Sequence, residues 1–148
     1  MPSKGETFLL GLDPGRAKYG LALVCHSERT LTPLYLNVSP VDQLEAELKQ
    51  LVQRWTVDQV VLGDGTGNQQ IFSRLSNFFS PQTSIAIIDE RNSSQEARGR
   101  YWRVNPARGL WKLIPTSMRV PPEPYDQYVA LILIERYLAA RNKHEGDI

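Results

Sequence analysis

The sequence predicts an α/β fold built on one mixed five-stranded sheet with helices on both faces. Three strand-like segments near the N-terminus are joined by short connections, and strands joined in this way pair as antiparallel neighbours. Strand and helix segments then alternate, which is typical of crossovers between parallel strands. We therefore expect three antiparallel strands first and two parallel strands after them.

The first three strands are predicted at residues 7–13, 20–25 and 31–38. The first, TFLLGLD, is almost continuously apolar, as in a strand that is buried on both faces. A turn rich in glycine and proline follows it. Because Pro33 cannot donate a hydrogen bond to a neighbouring strand, the third strand is expected at an edge of the sheet.

A capping pattern marks the predicted start of the first helix. Ser39 can serve as its N-cap, Pro40 suits the first helical position, and Asp42 completes a capping box. Apolar residues then recur at spacings of three and four, which indicates one buried stripe. These residues are Val41, Leu44, Leu48, Leu51 and Trp55.

The second half of the chain continues the alternation of strands and helices. Strands are predicted at 58–64 and 83–89, with a helix at 68–79 between them. A loop-like, proline-containing segment at 103–122 precedes the last helix, which is expected from about Pro124 to about Ala140.

Length and composition restrict the class of protein. The 148 residues fit one domain, expected at 1–141, with a polar tail at 142–148. No apolar run approaches the roughly 20 residues of a membrane span, and the N-terminus has no secretory signal pattern. Cys25 is the only cysteine, so no internal disulfide is expected. We therefore expect a cytoplasmic location.

Acidic residues stand at the predicted ends of buried elements. Asp13, Asp64 and the pair Asp89–Glu90 end three strands, and Asp126 begins the last helix on the side that should face the sheet. Sites collect at the carboxyl ends of parallel strands. Carboxylates that converge there repel one another unless a cation lies between them. Mg²⁺ or Mn²⁺ accepts such oxygen ligands, and a pair of these ions can cleave phosphodiesters.

Each of these acids also has an ordinary structural interpretation. Asp13 and Asp64 precede glycine-containing turns and could simply form them. Asp89 and Glu90 could be a solvated strand end, and Asp126 could be placed by the helix dipole. We favour the metal site because separate elements bring their acids to the same predicted end of one sheet.

The segment from residue 91 to residue 119 is strongly basic, with seven arginine or lysine residues and one acidic residue, in a chain of net charge +1. Arginines hold phosphates and aromatic side chains stack on bases, so the segment predicts contact with nucleic acid. Alternatively, Trp102 and Trp111 are core residues or anchors for a partner or a dimer. The predicted nucleic-acid contacts are Arg16, Lys18, Arg91, Arg98, Arg100, Arg103, Arg108 and Lys112.

Four segments resemble the conserved blocks of one nuclease family. They are LLGLDPGRAKYGLALV, VVLGDGTGN, IIDERNSSQEAR and YDQYVALILIERYL, and they occur in the order typical of the YqgF/RuvX-type branch of the RuvC-like, RNase H-fold superfamily. The third block is the most specific. The resemblance covers most of the chain and implies an RNase H-like fold. It also implies a metal-dependent nuclease that processes a ribosomal RNA precursor or resolves Holliday junctions.

The resemblance also implies roles for individual residues. Asp13, Glu90 and Asp126 fall on the family's acidic positions and are expected to be catalytic and to bind the metal. The chemistry of phosphodiester cleavage favours two Mg²⁺ or Mn²⁺ ions, and Asp13 is expected to be shared between them because its strand is central in this fold class. Arg91 and the pair Ser93–Ser94 fall on flanking polar positions.

Two departures from the family pattern bear on function. Asp64 stands where this branch usually has a Gly-Leu-Pro block and where RuvC itself places a carboxylate, so it is expected to be a fourth catalytic residue. Asn92 replaces the usual leucine. An inactive nucleic-acid-binding or protein-interaction module therefore stays open as an alternative, as does an ATPase-like phosphate binder. RNA or DNA as substrate, endo- or exonuclease activity, and monomer or homodimer are equally open.

Overall fold

The computed structural model describes residues 5–28, 30–91, 93, 96–97 and 126–146, with side chains as far as residue 141. The strands are β1 (Glu6–Asp13), β2 (Lys18–Ser27), β3 (Thr30–Pro40), β4 (Gln59–Gly63) and β5 (Ile85–Ile88). The helices are α1 (Leu44–Arg54), α2 (Asn68–Phe78) and α3 (Asp126–Gly146), and a 3-10 turn (Val41–Gln43) precedes α1.

The strands form one five-stranded sheet in the order β3-β2-β1-β4-β5. β1 pairs antiparallel with β2 and parallel with β4, while β3 pairs antiparallel with β2 and β5 pairs parallel with β4. The predicted mixed sheet and the edge position of β3 are both confirmed. Near Pro33 the register between β2 and β3 shifts, since Leu23 pairs with Tyr35 and Val24 with Pro33. Such a bulge accommodates a residue that cannot donate to the ladder.

Helices cover both faces of the sheet, as predicted. The alternation of side chains along β1 sends Leu10 and Leu12 toward α1 and α2, whereas Leu9 packs under α3. α3 lies directly on β1, because a Cβ added at Gly11 would come within 2.6 Å of the Ala130 carbonyl oxygen. The absence of a side chain at Gly11 therefore lets α3 approach the central strand closely.

The N-cap and capping box predicted at Ser39 and Asp42 are wrong. β3 continues through Pro40, and α1 begins only at Leu44, after a 3-10 turn whose flanking residues make no side-chain capping bond. Ser39 instead pairs with Tyr19 across the sheet and is buried. The local capping pattern was overridden by the longer strand pairing. α3 also extends to Gly146, beyond the predicted end near Ala140.

A buried carboxylate joins α1 to β2 and β3. Glu47 is 8% exposed, and it accepts hydrogen bonds from Tyr19 Oη (2.5 Å), Tyr35 Oη (2.6 Å) and Asn37 Nδ2 (2.7 Å). Burial opposes ionisation of Glu47, but these donors outweigh it and lower the pKa of the carboxyl. Burial and the Glu47 charge in turn raise the pKa of Tyr35 to about 12.

We expect Glu47→Gln to destabilise the fold at neutral pH by roughly 2–4 kcal/mol, because buried donors lose a charged acceptor. Since the folded-state pKa of Glu47 is lowered, its contribution is present above the unfolded value of about 4.3 and is lost as pH falls through the folded value. Urea unfolding at pH 7, 4 and 3 measures this, and the difference between wild type and variant should shrink toward pH 3. The matched control is Glu45→Gln in the same helix α1, which alters a partly exposed ion pair with Arg74 of α2. Equal losses in the two variants would contradict the prediction.

Candidate active site

Three acidic side chains from separate elements converge at one end of the sheet. Asp13 ends the central strand β1, Asp126 begins α3, and Glu90 follows β5. Burial raises the pKa of Asp13 to about 9, and hydrogen bonding and charge from Glu90 and then Asp126 add to the shift. The Asp13 carboxyl group therefore lies within hydrogen-bonding reach of the other two carboxyl groups.

Glycines make room for two of these acids. A Cβ at Gly63 or at Gly65 would overlap the carboxylate of Glu90, and a Cβ at Gly20, the residue paired with Asp13, would overlap the backbone of Asp126. Glycine is thus required at the end of β4 and near the start of β2, because a side chain there would occupy the space of Glu90 or Asp126.

Glu90 has a raised pKa and a buried oxygen without a hydrogen-bond donor in the described part of the chain. Burial raises its pKa, and the charges of Asp64, Asp126 and Asp89 act in the same direction, although the hydrogen bond with Asp13 opposes them. Its Oε1 is buried and has no hydrogen-bond partner among the described residues. A buried oxygen without a donor is costly, unless a ligand satisfies it.

Asp64 lies at the margin of this cluster. Its side chain is exposed, and its Oδ1 accepts a hydrogen bond from the backbone N–H of Glu90 at 3.1 Å. Its charge contributes to the pKa shift of Glu90 but is not among the causes of the shift at Asp13. The structure thus brings the Asp64 carboxylate to the backbone of Glu90.

The predicted basic contacts are placed in part. Lys18 Nζ lies 3.4 Å from Asp126 Oδ2, and Arg91 lies 3.7 Å from Asp89 Oδ2. Arg16 makes no ion pair within the described part of the chain and borders an open cavity of about 620 Å³. The other residues lining that cavity belong to the turn after β4 and the start of α2: Asp64, Gly65, Thr66, Gly67, Asn68, Gln69 and Gln70.

Eight further residues that were assigned a role from the sequence lie outside the described residues, and their roles stay predictions. They are Ser94, Arg98, Arg100, Trp102, Arg103, Arg108, Trp111 and Lys112. Ser93, the other member of the flanking pair, is buried, and its N–H donates to the Glu90 carbonyl at 2.9 Å.

Sequence reasoning missed two polar residues of α3 near the site. Arg136 donates to the Asp89 carbonyl oxygen and to Glu96 Oε1, each at 2.7 Å. Gln127, next to Asp126, has a buried Oε1 with no hydrogen-bond partner in the described ranges. Arg136 could have been noticed as one of two adjacent charged residues, with Glu135, in the mostly apolar run LILIERYL.

The donor set suits a hard divalent cation. Three carboxyl groups in contact, one with an unpartnered buried oxygen, are the oxygen ligands that Mg²⁺ or Mn²⁺ prefers. Within the residues that the structure describes, however, no three acidic, histidine or cysteine side chains already have the spacing of a metal coordination sphere.

In the described ranges, no helix is long and apolar enough to cross a bilayer.

Comparison of sequences finds relatives that match nearly the whole chain. No protein-family model matches it. A Psychrobacter protein that carries the name "Putative pre-16S rRNA nuclease" is 27% identical over 161 residues, which cover 97% of this chain and 83% of the relative. A Sulfurimonas denitrificans protein with the same name is 29% identical over 136 residues, which cover 87% of this chain and 95% of the relative.

Comparison of structures finds the same fold in nucleases. The fowlpox virus Holliday junction resolvase matches with a TM-score of 0.59 at 12% identity, covering 90% of this chain and 99% of the resolvase. Thermus thermophilus RuvC matches with a TM-score of 0.55 at 14% identity, covering 86% of this chain and 90% of RuvC. These likenesses confirm the predicted RNase H-like fold. With the sequence relatives, they confirm the resemblance of the four blocks to YqgF-like nucleases of RNase H fold.

Proposed function

We propose that this chain is a divalent-metal-dependent nuclease that hydrolyses phosphodiester bonds in structured nucleic acid, with a ribosomal RNA precursor as its substrate. The convergence of Asp13, Glu90 and Asp126 supports this most. Burial and mutual repulsion make such a cluster unfavourable as a purely structural feature. A cation between the carboxyl groups would offset both effects, which favours an active enzyme over an inactive module.

The chain's own residues divide the work at this site. Asp13, Glu90 and Asp126 are the residues that would hold Mg²⁺ or Mn²⁺, and a pair of ions is the arrangement that phosphodiester cleavage favours. Bound ions supply Lewis-acid activation of water and stabilise the leaving oxygen of the phosphodiester. Lys18 orients Asp126 through its ion pair, and the side chain of Lys18 is 54% exposed, so its charge also faces an approaching phosphate.

The cavity beside the acids is the proposed path of the substrate backbone. Arg16 is available to bind a phosphate there, and Asp64 and Gly65 link the cavity to Glu90. The basic segment at residues 91–119 is proposed to extend this surface, as its charge predicted. The two sequence relatives favour ribosomal RNA precursor as substrate, whereas the resolvases share only the fold with this chain.

We expect Mn²⁺ to stabilise the folded protein against heat, because the ion binds the assembled carboxyl groups and not the unfolded chain. At a concentration of 100 times Kd the gain is about 2.7 kcal/mol. Thermal unfolding across a Mn²⁺ titration at pH 7.5 measures it. The same titration with ATP tests the phosphate-binder alternative, since a shift with nucleotide alone would support that reading. No shift up to millimolar Mn²⁺ would contradict the proposed metal site.

A cleavage panel then tests the substrate. It contains ribosomal RNA precursor, a four-way DNA junction and single strands, each with Mg²⁺, with Mn²⁺ or with chelator. We expect metal-dependent cleavage of the precursor, with little cutting of the other substrates. Preferred cutting of the junction would identify a resolvase instead, and a homodimer would then be expected because two strands have to be cut. Binding without cleavage of any substrate would support the inactive module.

A further inference from the structure

One peptide group, between Asp89 and Glu90, is held from both sides. Its N–H donates to Asp64 Oδ1 at 3.1 Å, and its carbonyl oxygen accepts from Arg136 Nη1 at 2.7 Å. Asp64 follows β4 and Arg136 lies in α3, so two distant parts of the chain form hydrogen bonds to the same peptide group. Because a peptide group is planar and stiff, holding both ends fixes the position of the Glu90 Cα atom, from which the side chain leaves the backbone.

Further hydrogen bonds hold Asp64 and Arg136 in place. The backbone N–H of Asp64 donates to the Ile88 carbonyl at 3.1 Å, which joins the turn after β4 to the end of β5 by a second bond. Arg136 Nη2 donates to Glu96 Oε1 at 2.7 Å, and the Arg136 side chain is only 25% exposed. The guanidinium is thus oriented by one acid while it holds the peptide group.

The position of Asp64 does not resemble that of the other acids. Asp13 and Glu90 are partly buried and in contact, whereas the Asp64 side chain is exposed and its recorded hydrogen bond goes to the Glu90 backbone. An exposed carboxylate that already accepts a backbone N–H is well suited to holding a loop.

We infer that Asp64 and Arg136 are positioning residues, which place Glu90 for metal binding by holding the Asp89–Glu90 peptide group, and that Asp64 is not itself a metal ligand. The inference rests on the proposed function, in which Glu90 binds the ion. It replaces the expectation that Asp64 is a fourth catalytic residue, and it assigns a role to Arg136, which the sequence did not indicate.

Mn²⁺ affinity distinguishes positioning from ligation at Asp64. Asp64→Asn keeps the Oδ1 acceptor and removes the charge, whereas Asp64→Ala removes both. We expect Asp64→Ala to weaken Mn²⁺ binding by roughly 10- to 100-fold, the usual range for residues that orient metal ligands. Asp64→Asn should recover most of this affinity. If Asn is as weak as Ala, Asp64 is a ligand and the inference is overturned.

Arg136 is tested in parallel. Arg136→Met keeps the apolar stem but removes the donors, and it should weaken Mn²⁺ binding in the same way. The double variant Asp64→Ala/Arg136→Met should lose less than the product of the single losses, because both act through one peptide group. The matched control is Arg74→Met, which removes a partly exposed ion pair with Glu45 away from the site and should leave Mn²⁺ affinity unchanged.

Metal-free unfolding temperatures show whether each variant folds, and Asp13→Asn is measured alongside. If Asp13→Asn binds Mn²⁺ as tightly as wild type, the proposed metal site itself fails. If Asp13→Asn loses the ion while Asp64→Ala and Arg136→Met retain wild-type affinity, only the positioning inference is overturned.

Discussion

Replacing Asp13 by Asn is expected to reduce cleavage by roughly 10³-fold or more, which corresponds to about 4 kcal/mol of lost transition-state stabilisation. Asp13 lies on the central strand and contacts both other carboxyl groups, so it is the residue through which the cluster is connected. Asparagine preserves the shape of the side chain but cannot carry the negative charge. The same variant should also lose the thermal stabilisation by Mn²⁺. Initial rates on ribosomal RNA precursor and unfolding temperatures with Mn²⁺ measure the two effects.

Without metal, the same substitution should instead stabilise the protein at neutral pH. The unfolded chain releases the Asp13 proton near pH 3.9, while the folded protein keeps it until about pH 9. A group whose pKa is raised in the folded state contributes its full stabilisation of the folded protein at pH values below the unfolded-state pKa. That contribution is lost as pH rises toward the folded-state pKa. In chelator at pH 7, Asp13→Asn should therefore gain on the order of 2–4 kcal/mol in unfolding free energy.

A control substitution at the opposite end of strands β1 and β4 separates these effects from general changes in charge. Asp58→Asn also removes one acid, from a residue whose Oδ2 accepts the Phe8 N–H at 2.8 Å. It should retain both cleavage and the response to Mn²⁺. Wild-type cleavage by Asp13→Asn, or an equal loss in Asp58→Asn, would contradict the role proposed for Asp13.

Replacing Gly63 by Ala is expected to lower cleavage by roughly 100-fold while leaving the fold intact. The added methyl group would overlap the Glu90 carboxylate and displace it, and a misplacement of about 1 Å at a catalytic group costs this much. The obstructing atoms are the end of a side chain, which can rotate away without moving the sheet. Cleavage rates, Mn²⁺ affinity and metal-free unfolding temperature together measure the outcome.

Gly20→Ala provides the contrast. There the added methyl group would overlap the backbone of Asp126, which cannot move unless α3 shifts on the sheet. We expect this variant to lower the unfolding temperature even without metal, whereas Gly63→Ala should not. If both glycine variants behave alike, or if Gly63→Ala cleaves and binds Mn²⁺ normally, the proposed confinement of Glu90 is wrong.

Much of the fold was predictable because it depends on local patterns. The alternation of apolar residues, the turn-forming glycines and the short connections near the N-terminus predicted five strands and their antiparallel-then-parallel arrangement, and Pro33 predicted the edge position of β3. The acids Asp13, Glu90 and Asp126 were also predictable from the sequence: strand ends and helix starts of one sheet meet at the same edge, and the resemblance to the nuclease family implied these three among the acids found there. Their roles as metal ligands remain predictions.

What local patterns could not determine are contacts between residues far apart in the chain. Ser39 has the signature of an N-cap, yet pairing with Tyr19 across the sheet kept it in β3. Asp64 reads as a further acid at a strand end, and only the packing of β5 beside β4 places its carboxylate on the Glu90 backbone. Arg136 lies 47 residues from the carbonyl that it holds. Residue order and periodicity specify which elements form, whereas the partners of a polar side chain depend on how those elements pack, because hydrogen bonds act only over about 3 Å.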